Sequence, residues 1–122
     1  MRIFVTKAFV RFQRKERIDD AELIDAIMRA ERGLIDADLG AGLIKQRVAR
    51  TGQGRSGGLR TIIVYRKGQR SVFLFGFAKS RQANVDKADL RDLADYGAML
   101  MRLNADAIAT LLAGDELKEF VK

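Results

Sequence analysis

Between Gly42 and Arg81 the chain carries ten Lys/Arg and no Asp or Glu. The cations are Lys45, Arg47, Arg50, Arg55, Arg60, Arg66, Lys67, Arg70, Lys79 and Arg81. Interleaved with them are the most strand-like residues of the protein, Thr61-Ile62-Ile63-Val64-Tyr65 and Val72-Phe73-Leu74-Phe75-Gly76-Phe77. A fold built from this stretch must bury its β-branched and aromatic side chains while leaving its charges at the surface. The outcome is a positively charged sheet, a natural seat for a polyanion. The formal charge of +7 is therefore local, because the remaining residues hold thirteen Lys/Arg against sixteen Asp/Glu.

A chain of 122 residues, 48% apolar, fits one domain over 1–122 with one core. No run is long and apolar enough to span a membrane. The opening Met1-Arg2-Ile3-Phe4-Val5-Thr6-Lys7 lacks the apolar centre of a signal peptide, so a cytoplasmic location is expected. There is no cysteine and no histidine. That removes disulfides, thiolate ligands, a Cys nucleophile, and the commonest general base and metal ligand.

Residues 2–5 alternate as a short strand would. Phe9 and Phe12 lie at helical spacing, which predicts a short helix over 7–16. Asp19 with Glu22 has the spacing of a capping box, and Leu23, Ile24, Ile27 and Met28 form an apolar stripe. A helix over about 20–32 follows, ended by Gly33. Residues 33–42 are expected to be a connector. Leu43 to Ala49 reads as a strand with Lys45 and Arg47 on one face and Ile44, Gln46 and Val48 on the other. A glycine-rich loop over 51–58 leads to a hairpin, Leu59–Arg66 and Arg70–Ala78, turned by Lys67-Gly68-Gln69. Both hairpin strands are apolar on both faces, as central strands are. Their mutual register stays open. Asp86 starts a helix to about 102, Asn104 caps a last one over Ala105–Ala113, and Glu116–Val121 is a final strand or a tail.

Gly52-x-Gly54-x-x-Gly57 matches a dinucleotide fingerprint by letter only. That motif needs a helix directly after the glycines and an acidic residue about 20 positions on, and here a β-rich run follows. The loop reads as a flexible carrier of Arg55. Asp89, Asp92 and Asp95 sit together on a solvated helix face, and no metal or cofactor is expected. The basic set is the live candidate. Neighbouring like charges destabilise one another, so another demand must maintain them, and phosphate binding supplies it. Tyr65, Phe73, Phe75 and Phe77 are the aromatics able to stack bases, although at least two of them should be core.

Over nearly its whole length, and most specifically at residues 40–85, the chain resembles the RelE/ParE superfamily of bacterial toxins. Leu43-Ile44-Lys45-Gln46-Arg47 is similar to the basic strand of RelE-like members. Gly57-Gly58-Leu59-Arg60 before an apolar strand is similar to their glycine turn. Phe77-x-Lys79 with Asn84 is similar to the strand end that carries their last basic residues. The resemblance implies an α+β fold, with an antiparallel or mixed sheet of about four strands and helices packed on one face. The expected order is β-α-α-β-β-β-α with a short C-terminal helix. It implies the toxin of a type II toxin–antitoxin module, partnered by a cognate antitoxin. Its expected activity is a metal-independent cut in mRNA at the ribosomal A site, by attack of the RNA 2′-hydroxyl to leave a 2′,3′-cyclic phosphate. The catalytic positions map onto Lys45, Arg47, Arg60, and Lys79 or Arg81. Arg50, Arg55, Arg66 and Phe77 are the expected further RNA contacts. RelE-like toxins often add a tyrosine near the start of the last long helix. Here that region reads Val85-Asp86-Lys87, so stacking by that residue is not expected.

Without histidine, the 2′-hydroxyl must lose its proton elsewhere, and a lysine among cations can serve as base. Lys45 is the choice, with Arg60 stabilising phosphoryl charge and Lys79 or Arg81 serving the departing 5′-oxygen. Two other readings stay open. One is a non-catalytic, ParE-like toxin that binds a protein such as gyrase. The other is a plain RNA-binding module with steep salt dependence.

Overall fold

The computed structural model describes residues 1–120, with Ser56 by its backbone alone. Six strands form one mixed sheet: β1 (Arg2–Thr6), β2 (Ala37–Gly40), β3 (Leu43–Val48), β4 (Leu59–Arg66), β5 (Arg70–Ala78) and β6 (Leu117–Phe120). Their spatial order is β2-β3-β4-β5-β1-β6, antiparallel except for the β1–β5 pair. The helices are α1 (Lys7–Glu16), α2 (Asp20–Glu31), α3 (Lys87–Arg102) and α4 (Ala105–Ala113), with a short 3-10 turn at Arg55–Gly57.

The α+β fold stands, with two differences from expectation. Six strands replace about four because Ala37–Gly40 and Leu117–Phe120 pair at the two edges. Val121, part of the expected final strand, lies outside the described residues. The helices also cover both faces of the sheet rather than one. Phe9 of α1 and Leu23, Ala26 and Ile27 of α2 pack with Ile44, Ile63 and Phe73. Leu100 of α3 and Ile108 of α4 pack with Ile62, Val64 and Leu74 on the opposite face. The apolar residues on both sides of β4 and β5 demand this, since each exposed apolar face would forgo about 25 cal/mol per Å².

A bulge sets the hairpin register. Ile62 pairs with Phe75 and Ile63 with Phe73, so Leu74 is an extra residue. Leu74 and Phe75 consequently both belong to the α3 side, and Gly76 turns to the α1 side, beneath the ring of Phe12. On the α3 side Gly97 permits close approach. A Cβ there would lie 2.9 Å from Val64 Cβ.

The helix ends follow the sequence in most respects. Asp86 and Asn104 accept from the N–H groups of Asp89 and Ala107, each at 2.9 Å. Gly33, at φ +83°, closes α2 with Leu34 N–H on Arg29 O and its own N–H on Ala30 O. The capping box expected at Asp19 and Glu22 is not formed. Asp19 makes no side-chain cap, and the Glu22 carboxylate instead accepts from Ala49 N–H at 3.2 Å, tying α2 to the end of β3. Arg70 donates to the carbonyls of Leu100 at 2.8 Å and Leu103 at 3.0 Å, so this cation serves the C-terminus of α3.

Tyr65 hydrogen-bonds to Glu31, which also accepts from Gly68 N–H in the hairpin turn. Burial and the carboxylate together push the Tyr65 phenol well above its ordinary value, so it stays a donor. Tyr65→Phe is expected to cost about 1.5 kcal/mol, as a bond to a charged acceptor is lost. Urea unfolding measures it, and an unchanged midpoint would remove this bond from the account.

Candidate nucleic-acid interface

β3 and β4 bring three of the cations together by register alone. Lys45 lies opposite Ile62, and Arg47 lies opposite Arg60. Leu43 and Ile62 belong to the α3-side core, and strand alternation puts Lys45, Arg47 and Arg60 on that same side. The other side of β3 is buried, as its pattern predicts. Gln46 is fully buried there, with its amide donating to Ala26 O at 3.0 Å and Leu34 O at 3.1 Å and accepting from Asp36 N–H at 2.7 Å. These three bonds lock the strand's rotation and thereby the direction of its two cations.

The glycine turn adds a fourth cation. Gly58 adopts φ +90°, and its carbonyl accepts from Lys79 N–H at 2.7 Å. Lys79 Cβ lies 3.8 Å from where a Gly58 Cβ would stand. The end of β5 is thus stitched to the start of β4, two residues from Arg60. Among the described residues, Lys45, Arg60 and Lys79 have no acidic partner in an ion pair. Arg47 does: its guanidinium meets Asp36 at 3.2 Å. The Asp36 carboxyl is pushed up by burial, yet the bonds from Arg47 N–H and guanidinium, and the charges of Arg47 and Arg29, hold it below its usual range.

Other residues expected at the interface go elsewhere. Arg81 approaches Glu16 at 3.5 Å, and Arg50 meets the same carboxylate at 2.6 Å. Glu16 is buried at the end of α1, and its charge draws both arginines there, away from the cluster. Arg55 lies 3.7 Å from Asp25. Arg66 stands opposite Arg70 beside the hairpin turn, six residues and roughly 20 Å along β4 from Arg60. Phe77 is 3% exposed and packs in the α3-side core, so its ring is not presented for stacking. Phe73 is fully buried, whereas Phe75 is half-buried and borders a hollow of about 250 Å³ with Val85, Leu93, Asp89 and Asp92. Phe75 lies opposite Ile62, which in turn lies opposite Lys45.

The residues missed in the sequence are Asp36, Arg29, Asp25 and Glu16, four side chains that place or compensate cations of the basic stretch. They sit in helical or connecting contexts, and no local pattern marks them. Among the described residues no group of three or more Asp/Glu gathers as a metal centre would require. No helix among those residues is long and apolar enough to cross a membrane.

A family model described as the RelE toxin of the RelE / RelB toxin-antitoxin system matches residues 1–120. A search of curated proteins finds no match to the chain.

Proposed function

The chain belongs to the RelE toxin family and is thus a toxin of a toxin–antitoxin system, and we propose that it is a metal-independent, ribosome-dependent mRNA endonuclease. One observation carries this reading: Lys45, Arg47 and Arg60 share one face at adjacent register positions, with Lys79 stitched beside them through Gly58. Cations from three segments on one side of the sheet can grip a single phosphodiester.

In the proposed reaction Lys45 accepts the proton of the 2′-hydroxyl. The 2′-oxygen bonds to phosphorus, and the bond from phosphorus to the 5′-oxygen breaks. Arg60 stabilises the charge that builds on the phosphoryl oxygens. Lys79 gives its proton to the leaving 5′-oxygen, and the products are a 2′,3′-cyclic phosphate and a 5′-hydroxyl. Arg81, engaged by Glu16, has no part in this scheme. The cognate antitoxin is the implied protein partner, and mRNA in the A site is the proposed substrate.

Primer extension on an mRNA in a translating extract tests the proposal. New 5′ ends within the translated region, absent when initiation is blocked, are expected. Intact mRNA, with supercoiled DNA cleaved in the presence of gyrase, would replace it with the ParE-like reading.

A further inference from the structure

The pairing of β2 with β3 ends at Ala37 and Lys45. Beyond that point the outer backbone groups of Arg47 have no strand partner. Two side chains replace the missing strand. Asp36 Oδ2 accepts from Arg47 N–H at 2.7 Å, and Arg29 Nη2 donates to the Arg47 carbonyl at 2.7 Å. The second oxygen of Asp36 accepts from Arg47 Nη2 at 3.2 Å. Arg29 Nη1 stands 3.8 Å from Asp36 Oδ2, while Arg29 Nε is paired with Asp25 at 2.9 Å.

The two halves of this arrangement differ in kind. The Arg29 side chain is 8% exposed and engaged on several sides, so it and the Asp36 carboxylate are fixed from below. The Arg47 side chain is 49% exposed and reaches Asp36 at 3.2 Å, a looser contact than the 2.7 Å bond from its own backbone N–H. It can leave without disturbing the backbone bond. A carboxylate presents oxygens to a guanidinium much as a phosphate does. Asp36 also offsets the repulsion between Arg47 and Arg60, which face each other across the two strands.

We propose that Asp36 is an internal stand-in for the RNA phosphate, holding Arg47 in the free protein and yielding it when RNA binds. This rests on the RNA-binding reading of the face and adds the residue that sets its affinity. Because the RNA must compete with a tethered carboxylate, the free toxin holds stray single-stranded RNA less tightly than its cations alone would allow.

Asp36→Asn keeps an acceptor oxygen for Arg47 N–H and removes the charge, and Arg29 keeps Asp25. The probe is a short single-stranded RNA with 2′-O-methyl groups, which cannot be cut, followed by fluorescence anisotropy at one fixed low salt. Asp36→Asn is expected to tighten binding about fivefold, the upper range for releasing an exposed ion pair. In an Arg47→Ala background the same substitution is expected to change nothing. A general field effect would persist in that background, and a merely structural role would weaken binding instead. Equal or weaker binding by Asp36→Asn, or a gain that survives loss of Arg47, overturns the proposal. Arg60→Ala separates the two levels. Binding that needs Arg60 but ignores Asp36, or no binding by any variant, rejects the stand-in alone, whereas binding indifferent to Arg60 rejects the face and the stand-in together.

Discussion

Lys45→Ala is expected to lower the rate of mRNA cleavage by about a hundredfold or more while leaving the unfolding midpoint nearly unchanged. The rate effect follows from removing a general base whose contribution is typically 10²–10⁴-fold. The neutrality for stability follows from the position. Lys45 is half-buried on the α3 side, makes no ion pair among the described residues, and owes its direction to Gln46 and to the register with Ile62. Lys45→Arg is the informative companion. It keeps a cation but replaces an amine that can exchange its proton with a guanidinium that cannot. If Lys45 only binds phosphate, the arginine restores much of the rate. If it is the base, the arginine stays as slow as the alanine. Single-turnover cleavage on programmed ribosomes, with saturating protein, separates these outcomes. Full activity in both variants would leave the proposed reaction without its proton acceptor.

Gly76→Ala is expected to destabilise the fold by about 2–3 kcal/mol, lowering Tm by about 10 °C. A Cβ at Gly76 would fall well inside van der Waals contact with the ring of Phe12. That ring is held in turn against Phe9, whose centroid is 5.6 Å away, and Phe9 packs on the fully buried Phe73. The added methyl must displace a chain of packed aromatics or lift α1 from β5. In a Phe12→Ala background the extra cost should largely vanish, because the two sites then no longer couple. Calorimetry of the four proteins measures this. An unchanged Tm, or the same loss with and without Phe12, would mean that α1 is not seated on Gly76.

Gly76 also illustrates what the amino-acid pattern conveys and what it withholds. The run Phe75-Gly76-Phe77 looks like a strand with one weak position. Only the helix lying across it explains the glycine, and that contact joins residues 64 apart in the chain. The four helices were legible because their caps and apolar stripes are local, from Phe9 and Phe12 in α1 to Asn104 before α4. Lys45 and Arg47 on one side of β3, with Gln46 on the other, were legible for the same reason: alternation is local. Of the two edge strands, Leu117–Phe120 was legible only as a strand or a tail, and Ala37–Gly40 lay in what reads as a connector. Ala37-Asp38-Leu39-Gly40 has no β-branched residue, its alternation runs for only four residues, and it exists as a strand because β3 offers it an edge. The bulge at Leu74 hid the register, and with it which of the aromatics reach the α3 side. The placement of the cations was legible only in part. Charge density marks the stretch, but which arginines stay uncompensated depends on Glu16, Asp25 and Asp36, all distant in sequence.

Glu16 shows how far such a partner can redirect a reading made from residue type. Arg50 and Arg81 come from the ends of two different strands and look like members of one basic site. A single buried carboxylate takes both. The same region of α1 also holds the glycine loop, since Thr51 donates through N–H and hydroxyl to Arg17 O at 2.8 and 3.0 Å. These contacts fix the base of the loop whose far end, at Gly58, positions Lys79 and leads into Arg60.

If RNA is cut by its own 2′-hydroxyl on the face bearing Lys45, Arg60 and Lys79, removing that hydroxyl must stop the reaction. Programmed ribosomes carrying an mRNA with a single 2′-deoxynucleotide at the mapped cleavage position test it most directly. The unmodified message is expected to yield a 2′,3′-cyclic phosphate end, and the deoxy-substituted message to stay whole at that position. Cleavage of both messages at equal rates would contradict it.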